Sequence, residues 1–184
     1  MKTIPWENLH WALGLGVALA VVVLLIRHIG LIGDGEFWSF LFRLLHTWSG
    51  ILWIGLLYYF NFVQIPSMPK IPDEQKPAVS KVIAPTALFF FRWSAAATVV
   101  FGLIVMVYQQ SWQSPTVSIG MILGLIMAYN VWMIIWPNQQ KALGLVEADA
   151  DAKKAAARMA MLTSRFNTML SIPMLYCMVG SHLG

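Results

Sequence analysis

The chain has 184 residues and a formal net charge of +4, with 59% hydrophobic and only 11% charged residues, and its mean hydropathy is +0.68. These values exclude an ordinary soluble domain, in which about 25% of residues are charged, and they predict a single membrane domain over residues 1–184. The basic residues lie between the apolar runs rather than in one stripe, which argues against nucleic-acid binding. The one cysteine, Cys177, excludes an intrachain disulfide, and without a C-x-x-C-H motif no covalently attached c-type haem is expected.

Apolar runs along the chain predict an all-α integral membrane protein, a bundle of five transmembrane helices. Each run, with its flanks, is long enough to cross a hydrocarbon core of about 30 Å. The predicted helices span residues 11–32, 37–63, 85–108, 119–136 and 167–182. A proline-containing aqueous loop over residues 64–84 and an Ala-rich, charged helix over residues 140–165 complete the chain.

The distribution of Lys and Arg predicts the orientation of this bundle. Five spans place the termini on opposite sides, and the side of the N-terminus carries most of the basic residues: Lys2, Lys70, Lys76, Lys81, Lys141, Lys153, Lys154, Arg158 and Arg165. The other side has only Arg27 and Arg43. The positive-inside rule therefore predicts a cytoplasmic N-terminus and an external C-terminus, as in a multi-pass protein of a bacterial inner membrane.

A histidine inside the second apolar run is the first candidate for function. His46 is followed at i+4 by Gly50 and at i+7 by Trp53, so the three lie on one helical face. An imidazole beside a residue without a side chain suits a flat macrocycle, which predicts a haem with His46 as an axial ligand. Gly50 would give the haem ring its clearance, and Trp53 would pack against it. The alternative is a histidine hydrogen-bonded to a neighbouring helix, with glycine there for helix packing.

Other candidate residues for a haem site follow from the predicted topology. His28 and His182 both approach the external face, so either could supply the second axial ligand beside His46. Arg43 could neutralise haem propionates. Arg92 lies near the start of the third helix, where it either extends back to the interface or pairs with a buried carboxylate.

Three stretches resemble the membrane domain of bacterial urate hydroxylases of the cytochrome c-linked kind. They are LHTWSGILWIG at residues 45–55, NVWMIIWPNQ at residues 130–139 and SRFNTMLSIPML at residues 164–175, followed by His182. The chain departs from that pattern at Phe166, where the family has a histidine, and at Ser94, where it commonly has an acidic residue. The second stretch also resembles the small haem-containing membrane protoporphyrinogen oxidases, although more weakly.

The resemblance implies a haem-bearing helical bundle without the fused cytochrome c domain of the family. Its metal ligands would be His46 and His182, its cofactor haem b, and its partners an external cytochrome c or other membrane redox subunits, within a complex or homo-oligomer. The function expected from it is electron transfer from a membrane or quinone donor to that cytochrome, with catalytic residues unassigned. Two alternatives stay open: an oxidoreductase acting on urate or a porphyrinogen, and a cofactor-free accessory subunit of a respiratory complex.

Overall fold

The fold is helical throughout the part of the chain that the structure describes. In a computed structural model, Ile4 and residues 7–180 are described, and within these residues no strand occurs. Five long helices follow one another: α1 Leu9–Arg27, α2 Gly35–Lys70, α3 Lys76–Gln109, α4 Pro115–Ala142 and α5 Ala150–Val179. The predicted all-α class is confirmed.

Among the described residues, four helices, α1 to α4, are long and apolar enough to cross a membrane. The fifth, α5, is more mixed, because its N-terminal half carries Asp151, Lys153, Lys154 and Arg158. The prediction of helices that are long and apolar enough to cross a membrane is therefore confirmed for α1 to α4, while the five-helix transmembrane bundle and its orientation stay predictions.

Helices α2, α3 and α4 are longer than the sequence predicts, because prolines do not end them. The second predicted helix stops at residue 63, but α2 continues past Pro66 to Lys70, and the loop predicted over residues 64–84 shrinks to residues 71–75. In this connector Lys76 donates a hydrogen bond to Asp73, which lowers the pKa of the Asp73 carboxyl. The other two spans lengthen likewise, from 85–108 to Lys76–Gln109 and from 119–136 to Pro115–Ala142.

A π-helical turn precedes one proline in each of these three helices. The turns cover Tyr59–Gln64, Val79–Ile83 and Asn130–Ile135, just before Pro66, Pro85 and Pro137. Each closes with a bond from an N–H to the carbonyl five residues earlier, as from Ile65 to Phe60. Proline lacks the N–H of the normal ladder and its ring crowds the carbonyl at i−4, so a widened turn lets the helix continue.

Most of the predicted charged helix over residues 140–165 and of the predicted fifth span over residues 167–182 belongs to one helix, Ala150–Val179, while residues 181–182 lie outside the described residues. Asp149 caps its N-terminus by accepting a hydrogen bond from the Ala152 N–H at 2.7 Å, and Pro173 lies inside it without ending it. Residues 140–142 instead belong to α4, and Gly144, at φ +74°, reverses the chain after that helix.

The chain divides into two compact units, Met1–Leu41 and Phe42–Gly184. The first unit contains α1, which covers Leu9–Arg27 where the sequence predicts residues 11–32, then a short 3-10 turn and the start of α2. The Asn8 side chain caps α1 by accepting from the His10 N–H at 2.9 Å, and no residue of α1 is buried. The single domain over residues 1–184 stays a prediction.

The second unit is an antiparallel arrangement of α2 to α5. Contacts along α2 and α3 run in opposite directions, since Phe42 meets Tyr108 and Phe60 meets Phe91. The same holds for α2 and α5, where Tyr58 meets Ser171 and Asn61 meets Ser164. All four helices contribute to its apolar core: Trp53, Ile54, Leu57, Phe60, Leu88, Phe91, Ala95, Met127, Ala128, Val131, Ile135, Ala160 and Met174.

Candidate functional site

His46 is held against α3 by its ring nitrogen Nδ1. This atom lies 2.8 Å from the Thr98 carbonyl oxygen, and the side chain is part-buried. A carbonyl only accepts, so Nδ1 carries the proton and donates it. In the neutral ring, Nε2 then has a free lone pair, and among the described residues no hydrogen bond from Nε2 occurs. A backbone carbonyl on Nδ1 is the usual way to orient a histidine that binds metal through Nε2.

The histidine ring lies directly on Gly102, one turn after Thr98 on α3. A Cβ at residue 102 would come within 2.9 Å of both Cε1 and Nδ1 of His46, which is too close for any side chain to fit without moving the ring. The glycine that gives the imidazole room is therefore on the neighbouring helix. Nothing in the local pattern of α2 indicates this, because Gly102 is 56 residues away along the chain (102 − 46).

Gly50, predicted to give a haem its clearance, faces α3 in the structure. A Cβ there would lie 3.8 Å from the Thr98 Cγ2 atom, an ordinary van der Waals contact. The position of Gly50 thus fits close packing of α2 on α3. The packing interpretation requires a hydrogen bond to a neighbouring helix and a glycine at the helix contact, and both are present. An axial ligand requires a free Nε2 in addition, and His46 has one.

Trp53 is a core residue, with 2% of its surface exposed. It packs in the apolar cluster with Leu57, Phe60 and Phe91. Its indole Nε1 is buried and has no hydrogen-bond partner in the described part of the chain. A buried indole N–H usually finds a partner, so this donor is an exception that needs an explanation.

The two predicted arginines lie in different surroundings. Arg43 is exposed, one turn before His46 on α2. The Arg92 guanidinium carbon lies 3.3 Å from the centre of the Trp136 ring of α4, in a cation–π contact. Arg92 is six residues before Thr98, which is about 9 Å along the α3 axis, and the structure does not bring it to His46.

The structure tests neither of the two histidines predicted as second ligands. His28 is exposed in the first unit, where its ring centre lies 6.2 Å from that of Phe40. His182 lies outside the described residues. It follows α5, which ends at Val179, and the contacts of Gly120 with Cys177 place that end of α5 beside the beginning of α4.

A set of buried polar residues lies between α2, α4 and α5, and the sequence predicts no role for them. Asn130 Nδ2 donates to Asn167 Oδ1 at 2.8 Å, and Asn167 Nδ2 donates to the Met127 carbonyl at 2.9 Å. Asn61 donates to Ser164 at 2.8 Å. On α5 the spacing Ser164, Asn167, Ser171 (i, i+3, i+7) is a helical face, and that spacing in an apolar run was the signal available.

The arrangement at His46 fits one axial ligand of a haem. Among the described residues no group of three or more His, Cys, Asp or Glu side chains lies together. A haem iron does not need such a group, since the porphyrin supplies four nitrogens and the protein one or two axial ligands. His46 offers one oriented, part-buried nitrogen of the required kind.

The comparisons with known proteins connect the C-terminal part of the chain with a family. No curated protein matches the chain, and no solved structure does. Residues 111–184 match the family model described as urate oxidase N-terminal. This stretch contains α4, α5 and the polar contacts between them, and it links the chain to a urate oxidase-related family.

Proposed function

We propose that this protein is a multi-pass membrane protein that binds one b-type haem and passes electrons from a quinone or other membrane donor to an external cytochrome c. The observation that carries the proposal is the hydrogen bond from His46 Nδ1 to the Thr98 carbonyl at 2.8 Å. It favours the tautomer in which Nε2 has a free lone pair and can bind a metal, within a protein whose helices suit a membrane.

Four residues of the chain have defined tasks in this proposal. His46 would bind the iron through Nε2, and the Thr98 carbonyl would hold its ring and raise its basicity. Gly102 would leave room for the ring on α3. His182 would be the second ligand, on the grounds that α5 ends at the same end of the second unit as His46. The haem would supply reversible one-electron chemistry, with a potential set by its axial ligands.

The proposed orientation has the N-terminus in the cytoplasm and the C-terminus outside a bacterial inner membrane. The charged connector between α2 and α3, at residues 71–75, and the charged first half of α5 would both be cytoplasmic. The His46 end of the second unit would then be external, where a soluble cytochrome c could reach it. Arg43 is exposed near that end and could pair with a haem propionate.

A second candidate function is a urate-oxidising enzyme of the cytochrome c-linked hydroxylase kind. The observation that favours it is the match of residues 111–184 to the urate oxidase N-terminal family model. In that case the haem would receive electrons from the substrate rather than from a quinone. Purified protein that is reduced by urate, and not by a quinol, would favour the enzyme over the electron carrier.

A reduced-minus-oxidised spectrum with haem extraction, on purified wild type and His46→Ala, tests the proposal. We expect a b-type spectrum in the wild type and loss of most bound haem in the variant. Thr47→Ala is a matched control, because Thr47 neighbours His46 but is exposed and bonds to the Arg43 carbonyl of its own helix. Wild-type protein without a Soret band would refute haem binding and leave a cofactor-free subunit of a larger complex.

A further inference from the structure

Three buried polar atoms on α2 have no hydrogen-bond partner within the described residues. They are Trp53 Nε1, Asn61 Oδ1 and Gln64 Oε1. The side chains of Trp53 and Asn61 are 2% and 8% exposed, and the Gln64 oxygen is itself buried, so all three polar groups face the interior of the second unit. One donor and two acceptors thus follow each other over about 16 Å of α2. Buried polar groups are nearly always bonded to protein or to ordered water.

The orientation of the Asn61 amide is fixed by its neighbours. Its nitrogen donates both to the Leu57 carbonyl at 2.9 Å and to Ser164 Oγ at 2.8 Å. Turning the amide over would place its oxygen against the carbonyl, where two acceptors repel. The unpartnered atom is therefore an oxygen, in a side chain that is 8% exposed at the interface of α2 and α5.

Ser164 offers the complementary hydrogen at the same place. Its Oγ accepts from Asn61, and in the described part of the chain its hydroxyl makes no bond as a donor. A free O–H on Ser164 and a free oxygen on Asn61 therefore belong to two side chains that touch. A water molecule placed between them could accept from the hydroxyl, donate to the amide oxygen, and have a second hydrogen left for a further partner.

The π-helical turn explains why these groups are not satisfied by the backbone. Asn61 and Gln64 both lie within the turn over Tyr59–Gln64 that precedes Pro66. The wider turn displaces their side chains from regular helical positions, and such turns are frequent at functional sites. Gln64 as a whole is only half-buried, but its unpartnered Oε1 atom is buried.

We propose that a row of ordered water molecules lies along the inward face of α2, from Gln64 past Asn61 and Ser164 to Trp53. The ligand class is a small molecule that both donates and accepts hydrogen bonds, and water meets this requirement. The site itself does not depend on haem. One consequence rests on the proposed function: the row brings exchangeable protons to Trp53, which is about 10 Å along α2 from His46.

Radiolytic footprinting read by mass spectrometry tests the proposal on the full-length protein in detergent. Hydroxyl radicals formed from bound water oxidise side chains beside it, even where bulk water has no access. We expect oxidation of Trp53 and Phe60 in the wild type, although only 2% and 6% of their surfaces are exposed. We expect a several-fold decrease in Asn61→Leu and in Ser164→Ala, because each loses a partner for the water.

Ser94→Ala is the matched control for Ser164→Ala. Ser94 is similarly buried, at 6% exposure against 7% for Ser164, but its hydroxyl donates to the Phe91 carbonyl of its own helix. Labelling of Trp53 and Phe60 should stay at the wild-type level there. Absence of labelling in the wild type, or equal labelling in all variants, would overturn the proposal. If Asn61→Leu unfolds, so that oxidation rises throughout that variant, the comparison of Ser164→Ala with Ser94→Ala decides whether water is bound. Loss of haem in any variant leaves this readout unchanged.

Discussion

The close approach of Gly102 to His46 gives the sharpest test of the haem proposal, through Gly102→Ala. The added Cβ would lie 2.9 Å from His46 Cε1 and Nδ1, whereas carbon atoms in contact are about 3.5–4.0 Å apart. The ring must therefore move by roughly 0.6–1.1 Å. A bond from Nδ1 to Thr98 that is 2.8 Å long now would then pass the upper limit of about 3.2 Å for an N–H···O bond.

The expected result is a loss of haem without a loss of fold. Removing the group that orients a ligating histidine costs about 10–100-fold in metal affinity, and the lost hydrogen bond costs about 1 kcal/mol. Alanine in place of glycine within a helix returns about 1 kcal/mol through its higher helix propensity. We therefore expect near wild-type unfolding of Gly102→Ala and a haem dissociation constant that is raised by one to two orders of magnitude.

Gly50→Ala is the matched control, since its Cβ would be 3.8 Å from Thr98 Cγ2 and fits without displacement. The assay is haem titration of the purified proteins, followed at the Soret band, with unfolding in denaturant measured in parallel. Wild-type haem affinity in Gly102→Ala would refute the idea that His46 binds iron from this position. Loss of haem in Gly50→Ala but not in Gly102→Ala would instead support the prediction from the sequence that Gly50 leaves room for the haem ring.

Three further predictions concern other parts of the second unit and the C-terminus. Asn167→Leu should lower the free energy of unfolding by about 1–3 kcal/mol, because it leaves the buried Asn130 amide without its acceptor; an unchanged unfolding midpoint would contradict this. Arg92→Gln should leave haem content unchanged and cost about 0.5–2 kcal/mol of stability through the lost contact with Trp136, whereas loss of haem would show that Arg92 serves the cofactor. His182→Ala should convert a low-spin haem spectrum to a high-spin one, and an unaltered spectrum would exclude His182 as the second ligand.

Composition and hydropathy by themselves determine that this protein is helical and that its helices are apolar. Apolar runs separated by charged segments require helices, because in hydrocarbon each backbone N–H and C=O must be bonded within its own segment. The local sequence pattern, however, predicts the wrong ends for the helices. Pro66 and Pro137 look like stops in the sequence, but packing of the flanking turns against neighbouring helices compensates for a widened turn, so α2 and α4 continue.

Some residues of the candidate site are likewise evident from the sequence, and others only from the tertiary structure. The sequence alone singles out His46, since a histidine in an apolar run is costly unless it is bonded. Only the tertiary structure supplies the partners of that histidine, Thr98 and Gly102, because they lie on a different helix and their proximity depends on how α2 and α3 pack. Trp53 moves from a predicted cofactor contact to the core for the same reason: a helix face is defined locally, but what it faces is decided by the other helices.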